Sequence, residues 1–203
     1  MLRTFTIPES TLVLLKSLQQ VPMLDSLRLV GGTALALQLG HRNSVDLDFF
    51  GVVETNAEEI KNDLISKGFN VNSKLKSKTI NILVVDGVKV DIVGGFSNWI
   101  EPPIETEGIR MAGLKDIAAM KLHAITNRGR KKDFIDLYFL LQHFSLKQML
   151  ELYEKKYPQN NLFFVLRSLS YFHDAEADPL PTMYIDVNWD EMKSFIRNTI
   201  ENY

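Results

Sequence analysis

The segment Val45-Asp46-Leu47-Asp48-Phe49-Phe50 alternates apolar and polar residues with a period of two. A β-strand sends successive side chains to opposite faces. This segment is therefore expected to pack Val45, Leu47 and Phe49 behind, while Asp46 and Asp48 project together. Two like charges that close repel, and one carboxyl pKa rises unless a cation lies between them. Oxygen-only ligands on a rigid strand suit Mg²⁺, which binds one or two carboxylates plus substrate phosphates. Just upstream, Gly31-Gly32-Thr33 joins a short strand at 27–30 to a helix expected over 34–39, with Thr33 as its cap and Gly40 as its stop. Glycines let the backbone approach a ligand, and the unpaired first amides of a helix form an anion site with its dipole. Gly31, Gly32 and Thr33 are thus candidates for holding a nucleotide's phosphates, and the same residues equally suit a tight turn with an N-cap. Carboxylates and turn together point to metal-assisted phosphoryl or nucleotidyl transfer.

The chain has 203 residues, enough for one domain or for two small lobes sharing a cleft. Its net charge of -2 gives no global attraction to nucleic acid or to an anionic membrane, so a polyanion would need a local basic patch. With Cys 0, disulfides, thiolate metal sites and a cysteine nucleophile are excluded. Pro8, Glu9 and Ser10 interrupt the apolar residues at the start, so no signal-peptide core is read there. No apolar run is long enough to span a bilayer, and a cytoplasmic protein without a membrane partner is expected.

Along the chain, a first helix is expected from Pro8-Glu9-Ser10 to about Gln20 and an amphipathic one over 57–67. A strand meander follows at 69–74, 79–85 and 88–93, with Asp86-Gly87 as a hairpin turn that needs positive φ. Residues 104–111 read as strand or loop. Helices are then expected at 114–127, 132–143, 146–156, 162–172 and 190–203. The fold class is α+β, with a small mixed sheet and its helices in residues 1–100 and a helical lobe in residues 101–203.

A second strand adds to the acidic set. In Val88-Lys89-Val90-Asp91-Ile92-Val93, Lys89 and Asp91 share one face, and Val88, Val90 and Ile92 the other. Three carboxylates from two strands suit two divalent ions that clamp the attacking and leaving oxygens of an in-line displacement. Asp91 is also placed to help deprotonate a nucleophile. Alternatively, Asp91 and Lys89 are solvent-facing residues of an edge strand. In the helix at 114–127, Leu114, Ile117, Ala118, Lys121 and Ile125 fall on one side. A lysine in that stripe needs an anionic partner, either a triphosphate or a nearby aspartate. Arg128 lies two turns beyond Lys121, and Arg128-Gly129-Arg130-Lys131-Lys132 is suited to phosphate contact or to a solvated loop. Asp133 reads as a helix cap, and Asp136 as a partner for Lys121. His41-Arg42 stands just before the aspartate strand, within reach of a substrate. The four histidines show no metal-ligand spacing, so zinc is not expected. Neither Gly-x-Ser-x-Gly nor Gly-x-x-x-x-Gly-Lys occurs.

In order and spacing, Leu29-Val30-Gly31-Gly32-Thr33-Ala34-Leu35-Ala36, His41 to Phe49, Val90-Asp91-Ile92, Ala119-Met120-Lys121-Leu122 with Arg128, and Lys132 to Leu137 resemble the nucleotidyltransferase-like AbiEii toxin family. That family lies within the DNA polymerase β-type nucleotidyltransferase superfamily. The resemblance implies a polymerase β-like palm followed by a helical lobe, with the active site between them. It implies Asp46, Asp48 and Asp91 as metal ligands for Mg²⁺, two ions being expected, with Asp48 the more critical. It further implies Lys121 as the nucleotide-phosphate lysine and Asp136 as the acid of the last motif. The superfamily's phosphate turn is usually Gly-Ser, whereas Gly32-Thr33 here keeps the hydroxyl. By resemblance, the substrate is an NTP, the acceptor RNA, the partner a cognate antitoxin, and the setting toxin–antitoxin or phage defence. A non-catalytic nucleotide- or partner-binding module and a small-molecule nucleotidyltransferase are the alternatives.

Overall fold

The computed structural model describes residues 1–53, 57–77 and 79–203. They divide into two compact units. The first comprises Met1–Gln38, Ser44–Asn98 and Pro103–Ala112, and the second Leu39–Asn43, Trp99–Pro102 and Gly113–Tyr203.

The first unit carries one mixed sheet. Its strands are β1 (Arg28–Val30), β2 (Leu47–Phe50), β3 (Val71–Lys76), β4 (Ile80–Val85), β5 (Val88–Val93), β6 (Ile104–Thr106) and β7 (Ile109–Met111), in the order β3-β4-β5-β2-β1-β7-β6. The pairs β2–β5 and β1–β7 are parallel, and the other neighbours are antiparallel. Period-two patterning explains the faces: Leu47 and Phe49 of β2 and Val90 and Ile92 of β5 are buried, with polar residues between them. The helices of this unit are α1 (Glu9–Leu18), α2 (Gly31–Leu39, whose last residue falls in the second unit) and α3 (Ala57–Ser66). They bury Leu14, Leu15 and Leu18, then Ala34 to Leu37, then Ile60 and Leu64. Each buried leucine or isoleucine contributes roughly 1.5–3 kcal/mol.

The expected Asp86-Gly87 hairpin is present: Val85 pairs with Val88, and both turn residues have positive φ, 48° and 83°. Residues 104–111, ambiguous between strand and loop, form a second hairpin of the same kind. Thr106 pairs with Ile109 around Glu107 (φ 54°) and Gly108 (φ 76°). Glu-Gly is a weaker turn signal than Asp-Gly, because glutamate lacks the short side chain that makes positive φ tolerable. Two expectations need correction. α2 begins at Gly31, so Thr33 lies inside its first turn and does not cap it. Val45 and Asp46 both precede β2, and Val45 is exposed, because pairing with β5 begins only at Leu47 and with β1 only at Asp48.

The second unit is helical, with α4 (Leu114–Asn127), α5 (Lys131–Leu140), α6 (Leu146–Lys156), α7 (Leu162–Leu169), α8 (His173–Glu176) and α9 (Trp189–Glu201). Ile135, Phe139 and Met192 form a core cluster with Leu39, Tyr138, Met183, Val187 and Trp189 around it. No helix among the described residues is long and apolar enough to cross a membrane.

Two ionic clusters are buried in this helical unit. In one, Asp116 accepts the backbone N–H groups of Ile100 (3.0 Å) and Glu101 (3.2 Å) and pairs with Lys156, whose ammonium lies 4.7 Å from the centroid of Trp99. In the other, the Asp136 carboxylate accepts from four donors. Oδ1 takes His41 Nε2 (2.8 Å) and Arg42 Nε (2.7 Å), while Oδ2 takes Arg42 Nη2 (2.8 Å) and Lys121 Nζ (2.8 Å). That fills the roughly four acceptor sites of a carboxylate. Lys121 also donates to Asp133 Oδ1 at 2.9 Å. Burial alone would push Asp136 up, but Arg42 and Lys121, with hydrogen bonds from His41 and Arg42, hold it well below its ordinary 3.8. Burial likewise works against the Lys121 charge, and Asp133 and Asp136 overcome it, leaving its pKa raised.

The depressed Asp136 contributes stability that is present above its unfolded value and lost as pH falls through the folded one. The raised Lys121 contributes below its unfolded value and loses that contribution only at higher pH. Asp136→Asn is expected to cost about 3–5 kcal/mol at neutral pH, since it leaves Arg42 and Lys121 short of a buried counter-charge. Urea unfolding at several pH values should show the variant less stable throughout and with a smaller loss below about pH 4. A difference under about 1 kcal/mol would contradict this account of the cluster.

Candidate active site

The parallel register between β2 and β5 makes Asp48 and Asp91 direct Cα partners. Neighbouring strands lie about 4.8 Å apart, and paired residues point to the same face. Both carboxylates therefore share the face opposite Leu47, Phe49, Val90 and Ile92. Asp48 lies centrally in the sheet, with Val30 of β1 on its other flank. Since α2 starts directly after Val30, its first residue meets Asp48. A Cβ on Gly31 would overlap Asp48 Oδ2 and lie 3.2 Å from its Cγ. Gly31 also has φ +69°, which a β-carbon strains. Only glycine combines that backbone with so close a carboxylate. The positive end of the helix dipole beside Asp48 offsets part of the repulsion from Asp91.

Asp46 is fixed indirectly. Its backbone carbonyl accepts the Thr33 hydroxyl, which lies 2.8 Å from Ser44 Oγ. Thr33 is fully buried, so its hydroxyl braces the segment that carries Asp46. Sequence reading gave this hydroxyl to the phosphates. The polar residues at 44 and 46, eleven and thirteen positions away, offered no local signal of the brace.

Lys89 lies two residues before Asp91 on the same strand face, and its ammonium is 2.6 Å from Asp91 Oδ2. Partial burial works against its charge, but the bond to Asp91 and the fields of Asp91, Asp48 and Asp46 overcome that and raise its pKa. One ammonium thus senses all three carboxylates. Asp91 Oδ1 is buried and has no hydrogen-bond partner among the described residues. No three His, Cys, Asp or Glu side chains among those residues form a ready-made metal cage. Adjacent carboxylates with one orphaned oxygen nevertheless fit Mg²⁺, a cation commonly held by one or two carboxylates and completed by substrate phosphates.

The remaining candidates lie in the helical unit. Lys121 and Asp136 are brought together as expected of an ion pair, and Asp133 joins them while also accepting the Arg130 backbone N–H at 3.3 Å. His41 and Arg42 are buried on Asp136, where sequence reading had them near a substrate. An ammonium has three donors. Among the described residues, Lys121 uses two, on Asp133 and Asp136, which leaves one. Arg128 is exposed, with Nε 3.8 Å from Asp133 Oδ2. Farther along the basic connection, Arg130 is bidentate on Asp178 at 2.7 Å for both bonds, and Lys131 Nζ donates to the carbonyls of Glu176 and Asp178.

A protein of Aquifex aeolicus (strain VF5), itself described as uncharacterized, is 36% identical over 182 residues, 86% of each chain. A candidate nucleotidyltransferase from Helicobacter pylori superposes with a TM-score of 0.63 at 21% identity, covering 96% of both chains. JHP933, from the same bacterium, does so with a TM-score of 0.61 at 20% identity, over 97% of this chain and 94% of its own. At these identities the structural matches speak to the fold, which is that of nucleotidyltransferases. The model of the family described as nucleotidyl transferase AbiEii toxin, type IV toxin–antitoxin system, matches residues 13–202. The chain belongs to that AbiEii nucleotidyltransferase toxin family.

Proposed function

We propose that the protein is a Mg²⁺-dependent enzyme that transfers a nucleotide from an NTP to an RNA hydroxyl, as a toxin restrained by a cognate antitoxin. The observation that supports this most is the Asp48–Asp91 pairing on one sheet face beside the start of α2. Asp46, Asp48 and Asp91 would hold the metal, which when bound supplies charge neutralisation at the triphosphate and orients the attacking oxygen. The chain's own groups do the rest. Gly31 and Gly32 open α2, whose first amides and dipole receive phosphate charge. Thr33 holds the Asp46 segment in place. Asp91 Oδ1, which has no donor among the described residues, accepts the proton of an incoming hydroxyl. In the helical unit, Lys121 offers its third donor to phosphate, Asp136 fixes that ammonium, and Arg128 adds an exposed positive charge.

A small-molecule hydroxyl is the second reading of the acceptor. The salt bridge of Arg130 and the carbonyl contacts of Lys131 favour it, because they withdraw two cations of the basic connection from phosphate contact. Offering each labelled NTP to total RNA and to a panel of aminoglycosides and nucleosides separates the two.

Two variants test the chemistry. Asp48→Asn should lower labelled-NTP incorporation by at least about a hundredfold, near 2.7 kcal/mol of transition-state stabilisation. Equal labelling by variant and wild type would sink the mechanism. Gly31→Ala, which strains the backbone by about 1–2 kcal/mol and displaces Asp48, should lose more than tenfold in kcat/KM while remaining folded by circular dichroism. Full activity in that variant would show that close approach to Asp48 is not needed.

A further inference from the structure

Asp91 carries two unlike oxygens: Oδ2 is bonded to Lys89 at 2.6 Å, while Oδ1 is buried without a partner among the described residues. Lys89 is 40% exposed, and its ammonium sits on Asp91 within the combined field of Asp91, Asp48 and Asp46. An exposed lysine has four rotatable carbons and loses rotamer freedom when pinned, a cost that a neighbouring pair of carboxylates offsets. A hard divalent cation needs the same oxygens, and its approach is opposed by a positive charge already present.

Resting on the metal reading above, we propose that Lys89 is a built-in counter-ion for Asp91 that competes with the divalent cation for this carboxylate. Lys89 then sets the metal concentration at which the site fills. It offsets one of the two charges of the Asp48–Asp91 pair when no cation is bound and swings out to solvent when one is. Its place at position i−2 on the same strand face keeps it within reach of Asp91 in both arrangements.

The test is Mn²⁺ binding to the full chain, measured by electron paramagnetic resonance of the free ion, for wild type, Lys89→Met, Lys89→Arg and Asp48→Asn. Removing one positive charge at this distance should tighten Mn²⁺ binding by Lys89→Met on the order of tenfold. Lys89→Arg keeps the charge and should stay within about threefold of wild type. In chelator, Lys89→Met should melt below wild type and gain more from added Mn²⁺. Equal or weaker Mn²⁺ binding by Lys89→Met, or no binding by it up to millimolar metal, overturns the competition. Asp48→Asn separates that failure from failure of the metal reading. If Lys89→Met matches wild type while Asp48→Asn loses Mn²⁺, only the competition falls. If Asp48→Asn binds as wild type does, the metal reading falls with it.

Discussion

A parallel register that sets Asp48 against Asp91 confronts two carboxylates of like charge across a single strand spacing. Neither strand can slip to relieve the repulsion. A one-residue shift would turn Leu47, Phe49, Val90 and Ile92 out of the core. Burial of those four side chains, each contributing roughly 1.5–3 kcal/mol, outweighs the repulsion of two partly solvated charges. The surroundings then adapt to the pair. A glycine opens the adjacent helix so that its positive end can approach Asp48, and a lysine reaches over from the next outward position to Asp91. Thr33 braces the Asp46 segment from the same helix.

Asp136 and Asp91 show two ways of handling a carboxylate. Asp136 is wholly buried and meets a donor at each of its acceptor sites, so nothing is left for a ligand to satisfy. Its value lies in orienting Arg42 and Lys121 and in offsetting their desolvation. Asp91 keeps one oxygen with no donor among the described residues, an arrangement that costs stability and that native proteins retain chiefly where a ligand completes it. Lys121 falls between the two: Asp133 and Asp136 fix its buried ammonium, and among the described residues they account for two of its three donors.

Much of this was legible in the chain. Alternation gave β2 and β5 and the shared face of Asp48 and Asp91, and Asp86-Gly87 gave the hairpin that brings β5 back against β4. The stripe on α4 singled out Lys121 as a buried lysine in need of an anion, and Asp136 as a partner. What was not legible depends on distant pairing. β2 starts where its pairing with β5 and β1 starts, at Leu47 and Asp48, so Val45 and Asp46 fall outside the strand although both fit the alternation. Thr33 has the residue type and position of a cap, and only the path of Ser44 to Asp46 turns its hydroxyl elsewhere. His41 and Arg42 stand next to the aspartate strand in sequence, yet their backbone pairs with residues 182–184, which carries both side chains to Asp136.

The basic run at 128–132 shows why composition alone misleads about partners. Five residues carrying four positive charges look like a phosphate grip, but Asp178 takes Arg130 in a two-pronged bond, and two carbonyls take Lys131. Such bonds are modest in energy where exposed, yet they fix direction. A guanidinium already forked onto a carboxylate must break both bonds before it can grip a phosphate. The charge that counts for recognition is therefore smaller than the charge in the sequence.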